Sequence, residues 1–269
     1  MTALTRTGRR VSRNPAVRVG ARVGLVSRGV VWALMGVVAL QIAVGSTSRQ
    51  ADQQGALATV ATQSGGRVVL AVIALGLASY ALWRLSLAVF GTSSQGDELG
   101  TRAADAIRAV SYGALCATAV SVLTGSTSSS QDKRQAGLSA ELMQDTAGRW
   151  LLGAVGVVIA CAGGYFAWQG VREDIFEHLD RGAIPARLRP VVVVLGVVGN
   201  TARGLVITLS GILVVIAAVT VDPHRATGLD GALRTLAHQA YGPWLIGAAG
   251  AGLIAFGVFA VAEAVWSRV

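Results

Sequence analysis

The sequence predicts an all-α membrane protein: six transmembrane helices in three tandem, parallel two-helix repeats with a pseudo-threefold arrangement. Three observations predict it. Six apolar runs approach the ~20 residues needed to cross a ~30 Å hydrocarbon core. The composition is 53% hydrophobic and only 14% charged, against about 25% charged in soluble globular chains, and the mean hydropathy is +0.58. Short sequence patterns also return at near-constant offsets along the chain.

The runs come in order. The first, Val23 to Val44, follows a basic tail (residues 1–20) that carries Arg9, Arg10 and Arg13. That flank resembles a signal peptide, but the run recurs later as the opening of each repeat, so the expectation is a retained helix. The second is Val68 to Phe90, with Arg84 near its end. The third, Ile107 to Thr124, is short and rich in Ala, Ser and Thr. The fourth is Trp150 to Val171. The fifth ends near Val221, and Pro190 to Asn200 either extends it or lies at the interface. The sixth is Trp244 to Trp266. The repeats read as 21–92, 103–172 and 190–269.

Glycine supports lipid as the solvent. In water, 34 glycines would weaken helices by about 1 kcal/mol each at interior positions. In a bilayer they let helix backbones approach closely, where burial of apolar area no longer drives association. Cys116 and Cys161 fall inside apolar runs with no metal or disulfide spacing, so both read as small buried hydrophobes and no metal is expected.

The net charge is +9. The arginines flank apolar runs, which points to anionic lipid headgroups on the cytoplasmic side as the partner. No basic patch interleaved with aromatics supports nucleic acid. Counting Lys and Arg by side gives sixteen with the termini and seven opposite. The bias predicts a multi-pass plasma-membrane protein with both termini cytoplasmic.

The repeat is legible in motifs. Gly24-x-x-x-Arg28-Gly29 returns as Gly199-x-x-x-Arg203-Gly204, and Gly36 returns as Gly211. The middle copy keeps Arg108, sets Tyr112 where Trp32 stands, and repeats Gly45-Ser-Thr-Ser as Gly125-Ser-Thr-Ser. Ahead of the even helices, the segment from Ala56 to Gln63 matches Ala232 to Gln239, both A-L-x-T-φ-A-x-Q. The middle copy, Leu138 to Asp145, keeps only the apolar spacing. Tyr80-x-x-Trp83 recurs as Tyr165-x-x-Trp168 and Phe256-x-x-Phe259. Each unit therefore reads as helix, outer amphipathic segment, helix. With these motifs the chain resembles a family of bacterial, mainly actinobacterial, membrane proteins catalogued only as a domain of unknown function in three tandem copies. The resemblance implies the architecture and no activity.

Four features are candidate site material. Arg28, Arg108 and Arg203 occupy equivalent positions and would form an anion or lipid-headgroup site if they converge; the alternative is that each anchors its helix at the headgroups. Arg84 and Glu263 lie inside apolar runs and are candidates for an intramembrane ion pair, with Glu263 also able to pair a ring arginine. Thr59, Gln63, Thr235 and Gln239 mark the outer repeat motif, as vestibule lining or as helix-end bonding. His178, His224 and His238 lie in loops without metal spacing. No nucleophile elbow, zinc-protease, P-loop or dinucleotide motif is present, so no cofactor is expected. A structural or partner-binding membrane protein is the leading reading; a small-solute or anion transporter is the alternative.

Overall fold

The computed structural model describes residues 15–45, 51–90, 99–125, 131–172, 184–222, 225–226, 228–237 and 239–266. The start of the basic tail, the Ser126–Ser130 loop, residues 173–183 and all three histidines lie outside the described residues. Among the described residues, six helices are long and apolar enough to cross a membrane: α1 (Pro15–Ala43), α3 (Gly66–Phe90), α4 (Leu99–Leu123), α6 (Thr146–Arg172), α7 (Arg189–Thr220) and α9 (Gly242–Trp266). Three shorter helices cap one face: α2 (Gln53–Ala61), α5 (Gln131–Leu142) and α8 (Leu229–Ala237). The described ends share the opposite face, here the termini face. Residues 190–200 are a continuous part of α7, whose 32 residues span about 48 Å. That exceeds the hydrocarbon core, so α7 must tilt or project.

Around the bundle the order is α4, α3, α1, α9, α7, α6. The most extensive seams join different repeats: α1 to α9, α3 to α4, and α6 to α7. The reason is small residues at matched heights. A Cβ on Gly29 would sit 2.6 Å from the Gly257 carbonyl oxygen, and one on Gly36 would sit 2.5 Å from that of Gly250. The α6–α7 seam repeats this, with Gly204 2.7 Å from the Gly163 oxygen and Gly211 2.8 Å from that of Gly156. In the third seam Ala109 and Cys116 replace the glycines of α1, and Cys116 Sγ donates to the Ala74 carbonyl at 3.4 Å. Cys161, by contrast, is exposed. It lies on the lipid face of α6, not in the interior as its apolar run suggested.

Within repeats the packing is unequal. In the first, a Cβ on Gly76 would lie 2.5 Å from Ser27 Oγ, and Gly24 faces Tyr80. In the third, Gly252 faces Ala202 and Gly199 faces Phe256, the same contacts one repeat-length on. In the second, Ile107 and Val158 hold the positions of Ser27 and Gly76. Each is 67% exposed, and α4 and α6 make no extensive contact. The middle hairpin stands open.

Gly66, Gly148 and Gly242 lie in the first turn of the even helices, each tight against a carbonyl in the last turn of the preceding cap helix. These glycines set the repeat register. They make Phe256 the counterpart of Tyr80 and leave Tyr165, 59% exposed, three residues out of step. The Tyr165-x-x-Trp168 match is therefore one helical turn off the true equivalence.

The odd helices all end on a left-handed residue: Gly45 (φ 68°), Gly125 (φ 72°) and, in the third copy, Val221 (φ 54°). A β-branched residue is strained there. Val221→Gly is expected to raise stability by about 1 kcal/mol, read as a higher midpoint of thermal unfolding in detergent. An unchanged or lower midpoint would mean the strain is relieved elsewhere.

Candidate functional site

The three repeat arginines lie at one depth. Arg28 and Arg108 each precede their left-handed cap by 17 residues and Arg203 by 18, about 25 Å along the helix. That places them near the termini-side edge of the hydrocarbon.

Two of them share one aromatic platform. The Arg28 guanidinium lies 4.9 Å from the centre of the Phe256 ring, and that of Arg203 lies 4.7 Å from it. Arg203 also sits 4.3 Å from Phe166 and 5.6 Å from Trp32. Trp32 and Phe256 meet edge to face at 5.6 Å. Ring faces carry negative potential, so such a cage partly replaces the water a guanidinium loses. The cage leaves one need unmet: Arg203 Nε is buried and has no hydrogen-bond partner among the described residues. Tyr112 and Glu263 act electrostatically on both arginines, and Arg203 is also in the field of Arg28 and Arg108. Arg28 and Arg203 thus share one ring, while Arg108 pairs with Asp105 at 3.2 Å.

Arg84 belongs to a neighbouring group. Its Nη1 donates to Asp105 Oδ1 at 2.7 Å, and its Nε and Nη2 donate to the Tyr80 hydroxyl at 3.0 and 2.7 Å. Arg108 shares the same carboxylate oxygen at 3.2 Å. The proposed Arg84–Glu263 pair is therefore replaced. Asp105 is the partner because α3 packs along α4, whereas Glu263 lies on α9. Arg84 and Arg108 thus share one carboxylate beside Arg28 and Arg203, a surplus of positive charge at membrane depth.

The cap-side half of the bundle interior is apolar. Met35, Val38, Ala39, Leu57, Leu233 and Leu253 are fully or almost fully buried there. The Thr and Gln residues of the outer motif serve local backbone. Thr59 and Thr235 each donate to the carbonyl four residues back, Gly55 and Gly231, at 2.8 Å. Gln63 and Gln239 each accept, through their carbonyls, from the glycine that opens the next helix. The cap is tied between repeats by Asp230, which accepts from Ala51 N and from Arg234 Nε, both at 2.7 Å. Two further arginines, counted from sequence as plain flanking charge, bond helix-end carbonyls: Arg102 bonds those of Ala88 and Val89, and Arg149 those of Ala218 and Val219.

Sequence reasoning missed Asp105, Tyr112 as a site residue, and the Phe256–Phe166–Trp32 cage. Two spacings carried a signal: Tyr80 to Arg84 and Asp105 to Arg108 place hydrogen-bonding groups on one helix face.

The same unit recurs in known sequences. The model of the family described as Domain of Unknown Function (DUF1206) matches residues 23–91, 105–173 and 198–267. This chain belongs to that family. Each DUF1206 match takes in one spanning helix, one cap helix and a second spanning helix. The chain is also similar to "Uncharacterized protein YxxB" of Bacillus subtilis (strain 168), at 26% identity over 257 residues, covering 94% of this chain and 92% of that protein. No solved structure matches it.

Proposed function

We propose that this DUF1206 chain is a non-enzymatic, multi-pass protein of the cell membrane with a structural or partner-binding role, its termini cytoplasmic and its arginine cluster engaging anionic lipid headgroups. The observation that carries the reading is the order of layers along the bundle. A tightly packed apolar half lies on the cap side, and the surplus positive charge lies at the termini-side boundary, where headgroup phosphates sit. Sixteen of the 23 Lys and Arg residues fall on the termini side in this topology, which supports a cytoplasmic, anionic leaflet there.

The second reading, transport of a small anion, is favoured by one observation, the buried Arg203 Nε with no hydrogen-bond partner among the described residues. Reconstitution separates the two. Vesicles carrying the full chain are expected to leak chloride, phosphate and succinate no faster than empty vesicles. Flux above that level, abolished in the Arg28→Ala/Arg203→Ala variant, would replace the structural reading with the transport one.

A further inference from the structure

We infer that the open middle hairpin is a lateral portal that seats one anionic phospholipid, its phosphate on Arg108 and an acyl chain between α4 and α6. The inference rests on the lipid-binding reading above and gives it a place. In the first and third repeats the odd and even helices close on each other through Gly76 and Gly252. In the second, Ile107 and Val158 stand at the corresponding positions, and Val110 beside them is 74% exposed. The gap is therefore walled by branched apolar side chains, which match an acyl chain in polarity.

Its termini-side end is charged. Arg108 keeps 51% of its side chain exposed, whereas the carboxylate it touches, Asp105, is 4% exposed and already bound by Arg84. One carboxylate serving two guanidinium groups leaves one positive charge in excess, and the exposed group is Arg108. Helix phase explains the direction. Arg108 has the repeat position of Arg28, whose guanidinium turns inward over Phe256, and α4 packs extensively on α3 alone among the described spanning helices. With α6 displaced, that direction opens to lipid. A phosphate there also lies near the surplus charge of Arg28 and Arg203, which are themselves shut in by Phe256. A second copy of the chain is the poorer occupant, because a twofold contact across the gap would set Arg108 toward its own mate.

Native mass spectrometry of the full chain tests this, with dioleoyl phosphatidylglycerol or dioleoyl phosphatidylcholine added to the detergent. One phosphatidylglycerol should stay on each chain, and phosphatidylcholine should not. Arg108→Gln should lower retention about fivefold, the effect of one cation on anionic lipid, and Arg108→Lys should restore most of it. Val158→Trp, which fills the gap and leaves every charge in place, should lower it as well. Both positions are exposed, so a monodisperse chromatographic profile is expected for each variant. Retention insensitive to Arg108→Gln and Val158→Trp but lost in Arg28→Gln would overturn the portal and leave anionic-lipid binding standing. Equal retention of the two lipids would overturn both. A dimer that excludes phosphatidylglycerol would overturn the portal in favour of a second copy.

Discussion

Asp105→Ala is expected to destabilise the protein by about 3–5 kcal/mol, the loss seen when one member of a buried ion pair is removed. The reason is what remains. Asp105 is 4% exposed and Arg84 only 20%. Without the carboxylate, Arg84 keeps the Tyr80 hydroxyl and the faces of Tyr80 and Trp83, 5.1 and 4.7 Å away. No formal negative charge remains beside it. Ring faces offset only about 0.5–2 kcal/mol, less than the lost partner supplied. The compensated variant Arg84→Met/Asp105→Leu is expected to recover most of the loss, since well-packed apolar pairs replace buried ion pairs at little cost. Unfolding followed in detergent checks both. A loss below about 1 kcal/mol for Asp105→Ala, the range of exposed pairs, would show that water reaches this group freely.

Gly257→Leu is the second large effect, with an expected cost of about 3 kcal/mol, the upper end for overpacking a tight interior. A Cβ at Gly257 would come 2.5 Å from the Gly29 carbonyl oxygen and 2.7 Å from the Ala33 methyl. The first obstacle is backbone, which cannot swing aside as a side chain does, so α1 and α9 must separate. Gly164→Ala is the matched control. Nothing lies within 4 Å of a Cβ there, and the higher helix propensity of alanine should raise stability by up to about 1 kcal/mol. Equal behaviour of the two variants would mean that close backbone approach does not hold this seam.

Most of the fold could be read before any coordinates. Six spans, the cap segments and the threefold repetition follow from apolar length and from glycines whose positions recur, because a bilayer constrains length and a close seam constrains side-chain size. The common depth of Arg28, Arg108 and Arg203 was legible for the same reason: equivalent positions in the repeats stand at equivalent distances from the helix ends. The ion-pair partner of Arg84 was not. Pairing across helices depends on which neighbours touch, and nothing in the spacing states that α3 lies along α4 while α9 lies along α1. The opening of the middle hairpin was half visible. Ile107 and Val158 hold places where the other copies have Ser27, Ala202, Gly76 and Gly252, but that contrast emerges only once the register is set by Gly66, Gly148 and Gly242. The tempting aromatic match at Tyr165 sets it one turn wrong.

The seam between α1 and α9 has a consequence for biogenesis. Because α9 follows α1 by about 200 residues, their seam stays unlatched until α9 has been synthesised, with Gly29 and Gly36 waiting for Gly257 and Gly250. A chain lacking α9 would keep a bare glycine stripe on α1. Two chains side by side could satisfy those stripes by trading α9, since each would offer the surface the other awaits.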